Sequence, residues 1–151
     1  MKDCHMYLKR ATSYFLLVLI TPLLLSSCGG KKEVKPVSPD AKLVQEAFAL
    51  AETLKNAYTE NDRSALERNS TKDGFRDLSG VIKEFDRAEL TFTPTWVEIK
   101  DSSVYLTISW KGTWTVKGKL TEERGQAIFL LEGKPLKLAQ IQRSNPFRQP
   151  E

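Results

Sequence analysis

At Arg87 the spacing of apolar residues changes: upstream they recur every three or four positions, downstream every second position. A chain ordered in this way builds helices first and strands afterwards. The helical part opens at Ser38-Pro39-Asp40, where serine caps free backbone amides and proline suits the first helical position. Leu43, Ala47, Leu50, Leu54 and Ala57/Tyr58 then form a stripe, widened by Val44, Phe48 and Ala51, that predicts a helix over 40–59. Asn61-Asp62 ends it and caps a short second helix over 64–68. Phe75, Leu78, Ile82 and Phe85 predict a third helix over 73–87.

Beyond Arg87, β-branched and aromatic residues dominate. Leu90 to Ile99 reads as a strand interrupted at Pro94, at an edge or a bulge. Lys100 to Ser103 is a turn. Val104, Leu106, Ile108 and Trp110 then face one way, and Tyr105, Thr107, Ser109 and Lys111 the other. The same parity continues through Gly112, Trp114, Val116, Gly118 and Leu120, which fits one strand bent at Gly112 or two strands with a turn there; the unbroken parity favours the bend. TEERG, 121–125, predicts a turn, and QAIFLLE, GK and PLKLAQI a closing hairpin. Pro146 stops pairing, and Phe147 is placed to fold back. The expected fold is α+β, with N-terminal helices packed on a curved antiparallel sheet of about four strands.

Ahead of the helices, Lys2, Lys9 and Arg10 precede an almost wholly apolar run, Tyr14 to Leu25, and then Ser26 and Ser27. That is the basic, apolar, small-residue order of a secretory signal. As a helix the run reaches only ~18 Å at ~1.5 Å per residue, short of the ~30 Å core of a bilayer. A second methionine, Met6, stands just before YLKR, and a start there keeps the same signal. Leu25-Ser26-Ser27-Cys28 resembles the bacterial lipoprotein box. The resemblance implies a Cys28 thiol joined to diacylglycerol, cleavage before Cys28, and acylation of the new amino terminus; two or more acyl chains anchor stably where one does not. The alternative is an ordinary cleaved signal with Cys28 a chance thiol. Gly29 in place of aspartate favours, by the sorting pattern of enterobacterial lipoproteins, the outer membrane with the domain in the periplasm. GGKKEVKPVSP, from Gly29 to Pro39, reads as a flexible tether. The organisation is then a signal over 1–27, a lipidated cysteine and tether over 28–39, one α+β domain over 40–147 and a tail over 148–151.

Removing 1–27 takes three basic residues and one acidic one, so of 23 Lys+Arg and 19 Asp+Glu there remain 20 and 18, and the net charge falls from +4 to +2. No nucleic-acid partner is expected from so small an excess. The removed segment also holds Cys4 and His5, the chain's single histidine. The rest has no histidine and one lipid-capped cysteine, which excludes Ser-His-Asp and Cys-His sites, histidine-ligated zinc and internal disulfides. No cofactor and no metal are expected.

Four stretches carry a second resemblance: NAYTENDRSAL, FRDLSGVIKEFDRAEL, VYLTISWKGTW and RGQAIFLLEGKPLKLAQIQRSNPF. From about Asp40 to Phe147 the chain resembles the nuclear transport factor 2-like, or cystatin-like, cone found on small bacterial lipoproteins. The resemblance implies a pocket between the long helix and the concave sheet; some relatives are isomerases, dehydratases or cyclases with an aspartate base aided by tyrosine or histidine. This chain departs from that pattern, having no such histidine and few strand carboxylates: Glu98, Glu132 and Glu89.

Glu98 shares parity with Trp96, which allows an inward placement and makes it the one carboxylate to test as a base; the favoured reading is a solvated strand end beside the 100–103 turn. Tyr58 and Tyr105 are the candidate proton donors, though packing is the ordinary role of tyrosine. Trp96, Trp110 and Trp114 either line a pocket for a small apolar ligand or fill the core. The candidate pocket is therefore Tyr58, Trp96, Glu98, Trp110 and Trp114, with no catalytic residue assigned. Lys117, Lys119 and Arg124 read as a solvated strand face. The expected function is a non-enzymatic envelope lipoprotein, tied to membrane lipid through Cys28, that binds a small apolar ligand or an envelope protein. The alternatives are a structural or assembly component, dimeric through the outer sheet face, and a pocket isomerase or hydratase.

Overall fold

The computed structural model describes residues 38–150. The signal, Cys28 and the tether as far as Val37 lie outside the described residues. Ser38 caps the first helix, α1 (Pro39–Thr59), by accepting from Ala41 N at 3.1 Å, and Pro39 occupies its first turn. Its stripe buries Ala47, Leu50, Ala51, Leu54, Ala57 and Tyr58. Asn61, at φ 56°, turns the chain in the left-handed region that asparagine tolerates. Asp62 caps α2 (Arg63–Arg68), which buries Leu66, and Thr71 caps α3 (Lys72–Val81).

The third helix stops six residues before Arg87, where the sequence predicts its end. Ile82 is already extended (ψ 123°). The apolar residues that suggested a longer helix are still used: Ile82 and Phe85 pack on the core from the segment that follows the helix. Gln149 takes up the carbonyls this leaves, donating Nε2 to Lys83 O at 2.7 Å and Glu84 O at 3.2 Å. Gln149 is 5 % exposed, so packing continues into the predicted tail.

The strands β1 (Arg87–Lys100), β2 (Ser103–Val116), β3 (Lys119–Glu132) and β4 (Lys137–Arg143) form one curved antiparallel sheet in the order β1-β2-β3-β4. β2 is continuous through Gly112 and buries Val104, Leu106, Ile108, Trp110 and Trp114, as its parity requires. The helices lie on the face these residues make, α1 against β1 and β2 and α3 against β4.

Two features of the sheet differ from expectation. The β2–β3 turn is Lys117-Gly118, with both φ values positive, the mirror-image turn that matches strand twist. TEERG is paired strand: Thr121 faces Trp114, and Gly125 faces Trp110. Gly125 marks a close approach, because a methyl there would lie 3.0 Å from the Trp110 ring. Secondly, β1 is bulged between Pro94 and Trp96, leaving Thr95 as the extra residue. The bulge reverses the parity beyond it. Val97 now faces Leu106 and packs on the core, while Trp96 and Glu98 face Thr107 and Tyr105 on the outer side.

Helix α3 meets the sheet edge at Gly74, where a methyl would sit 2.2 Å from Leu138 O. That oxygen is fixed, since Thr71 N also donates to it at 2.8 Å. Gly74→Ala is expected to destabilise by about 3 kcal/mol, read as a lower urea midpoint at unchanged slope. A loss below about 0.5 kcal/mol, the range of ordinary surface changes, would show that helix and strand stand further apart.

Candidate functional site

The space between α1 and the concave sheet is occupied by side chains. Trp114 Nε1 donates to Tyr58 Oη at 2.8 Å, and both residues are buried. The Tyr58 ring lies 5.1 Å from Phe85 and 5.2 Å from Phe147. Phe147 in turn stacks on Phe129 at 6.0 Å and meets Phe92 edge-on at 6.0 Å. Trp110 packs edge-on against Trp114 and donates Nε1 to Ser144 O at 3.1 Å, fastening the C-terminal segment across the sheet.

Of the candidate pocket residues, the fold brings Tyr58, Trp110 and Trp114 together, as packed core. It does not bring Trp96 or Glu98 to them. Trp96 is 68 % exposed, and Glu98 is exposed opposite half-buried Tyr105 on the outer face. The single-residue bulge at Thr95 turns Trp96 outward and removes both residues from the candidate pocket lining, leaving Glu98 solvated, the favoured reading of its position. Lys117, Lys119 and Arg124 are solvated, as expected.

Burial pushes the Tyr58 phenol up from the ordinary 10 to about 12; its hydrogen bonds with Trp114 and Gln149 oppose the shift without cancelling it. Tyr58 therefore stays a neutral donor and acceptor across the physiological range. The folded state resists ionisation that the unfolded chain permits, so this contribution to stability is whole below pH 10 and is lost as the pH rises through about 12. The loss amounts to about 2–3 kcal/mol. Tyr58→Phe is expected to remove that alkaline decline, and to cost about 1–3 kcal/mol at neutral pH because Trp114 Nε1 loses its acceptor. Urea unfolding of both proteins from neutral to alkaline pH checks it; parallel profiles would contradict the assignment.

An open cavity of about 200 Å³ lies where α1, α2 and α3 converge. Tyr58, Leu66, Phe75, Ser79 and Ile82 form its wall, and the exposed residues Asn61, Arg63, Lys83 and Glu84 border it. The Arg63 guanidinium carbon stands 5.7 Å from the Phe75 ring centroid, within cation–π range. Ser79 Oγ is shielded from solvent and has no hydrogen-bond partner among the described residues, an arrangement that costs about 1–3 kcal/mol. The sequence reading did not find this cavity. Its signal was a polar residue inside an apolar stripe, since Ser79 stands between Phe75 and Ile82 at helical spacing.

Among the described residues no helix is long and apolar enough to cross a membrane, and no group of three or more histidine, cysteine or acidic side chains is placed to hold a metal ion.

No protein-family model matches the chain, and no curated protein matches it. Solved structures do, among them these two. One is a nuclear transport factor 2-like superfamily protein from Salmonella enterica serovar Typhimurium, with TM-score 0.63 and 10 % identity over 71 % of this chain and 93 % of that one. The other is a conserved protein from Planctomyces limnophilus, with TM-score 0.52 and 14 % identity over 65 % of this chain and 94 % of that one. Such identities speak for architecture alone. With its helices laid on one face of a four-stranded curved antiparallel sheet, the chain has the nuclear transport factor 2-like fold.

Proposed function

We propose that this chain is a bacterial envelope lipoprotein, held by an acylated Cys28 at the outer membrane, whose α+β domain is a non-enzymatic binding module. The address is supported by the apolar run that ends in Leu25-Ser26-Ser27-Cys28. The observation that carries the binding role is the distribution of space: aromatic rings fill the interior, while an open cavity with an unpartnered hydroxyl remains at the helical end. A non-enzymatic role is supported by Glu98, the carboxylate best placed by sequence to be a base, which is exposed on the opposite side of the sheet from the aromatic cluster.

An assembly role is the second reading, favoured by the outer sheet face. There the exposed Trp96 neighbours Thr107, and half-buried Tyr105, Ile128 and Leu130 lie on the adjoining strands. Extraction of the protein from membranes in mild detergent, followed by mass spectrometry of everything that leaves with it, tests both. A stoichiometric small molecule supports the binding module. A stoichiometric protein, or a second copy by sedimentation, supports assembly through the outer face, and a freely soluble product overturns the address.

A further inference from the structure

We propose that the cavity at the junction of α1, α2 and α3 binds a small organic anion, a carboxylate carried on a compact apolar body. This rests on the reading of the domain as a binding module and supplies the class of its ligand. Leu66, Phe75 and Ile82 give the cavity an apolar wall. Arg63 lies over the Phe75 ring, and no carboxylate pairs with it among the described residues. A guanidinium in this setting offers a planar fork of donors to a planar carboxylate.

Ser79 adds unused hydrogen-bonding capacity. Its buried hydroxyl lacks a partner among the described residues, and Ser79 lines the cavity. The charged groups that border the opening are Arg63, Lys83 and Glu84. The volume of about 200 Å³ falls below the ~300–1,000 Å³ of sites for drug-sized ligands. A molecule the size of a benzoate fits that description.

The test is a fluorine NMR titration of 4-fluorobenzoate, and of neutral 4-fluorobenzamide, against the full acylated chain in detergent micelles. The acid is expected to bind about tenfold more tightly than the amide, and Arg63→Gln to weaken the acid about tenfold while leaving the amide unchanged, as for loss of a charge-assisted pair. Ser79→Ala is expected to weaken the acid about threefold without lowering the unfolding temperature, because it removes a hydroxyl that is unsatisfied in the empty protein. Equal binding of the two probes, wild-type affinity in Arg63→Gln, or no binding of the acid at millimolar concentration each overturns the proposal. A different molecule found in the membrane extract, with no acid binding, overturns this ligand class and leaves the binding module standing.

Discussion

Trp114→Ala is expected to lower the free energy of unfolding by about 4 kcal/mol, within the range for large aromatic deletions from a core. The indole is fully buried. It donates to Tyr58 across the space between sheet and long helix, and it packs edge-on against Trp110. It also covers Gly112, where a methyl would meet the ring at 2.2 Å. Gly112 and Trp114 are thus one packing unit, a missing side chain filled by a large one two residues along the same face. Their substitutions should be non-additive. Gly112→Ala alone is expected to cost about 1–3 kcal/mol by overpacking, and most of that cost should vanish in the Trp114→Ala background, where the ring it would strike is gone. Urea unfolding of the two single variants and the double variant measures the coupling. Simple additivity would show that the ring does not lie against Gly112.

Phe147→Ala is the second large effect, at about 3–4 kcal/mol. Phe147 is fully buried although it lies only four residues from the end of the chain, and it touches the rings of Tyr58, Phe92 and Phe129. It joins α1 to β1 and β3 and closes the interior where an open pocket would otherwise stand. Its removal leaves an apolar void, and such voids stay dry and accept small apolar molecules. Saturating benzene is therefore expected to restore part of the lost stability in Phe147→Ala, by more than any shift it gives the wild type. A loss below about 1 kcal/mol, typical of a peripheral contact, would mean that the C-terminal segment is a loose strap and that the interior closes without it. Gln149→Ala, which frees the Lys83 and Glu84 carbonyls, should cost about 1 kcal/mol and leave the benzene shift as it is in the wild type.

The parts of the fold legible in the sequence were those governed by local rules. Ser38-Pro39 announced α1, the even parity of β2 ran through Gly112 without a break, and Phe147 after Pro146 pointed back to the core. The misreadings came from contacts between distant residues. Gly125 resembled a turn glycine, but its lack of a side chain serves the Trp110 ring on the neighbouring strand. Pro94 did mark an irregularity, but a proline cannot say whether one residue is inserted, and that one residue sends Trp96 and Glu98 to the other face. Phe85 kept the helical spacing of Phe75 and Leu78 while reaching Tyr58 from a segment that is no longer helical. The candidate site shows the same division. Tyr58, Trp110 and Trp114 were found by their patterning, whereas Arg63 and Ser79 are brought together by how three helices meet.

In the proposed function one residue, Cys28, joins a folded binding domain to lipid. The most direct measurement is the mass of the N-terminal peptide of the mature protein, extracted from membranes and digested. The expected peptide begins at Cys28 and carries a diacylglyceryl thioether and an N-acyl chain, and Cys28→Ala is expected to lose both and to leave the membrane. A mature chain that begins at another residue, or at Cys28 with a free thiol, would contradict the proposed function.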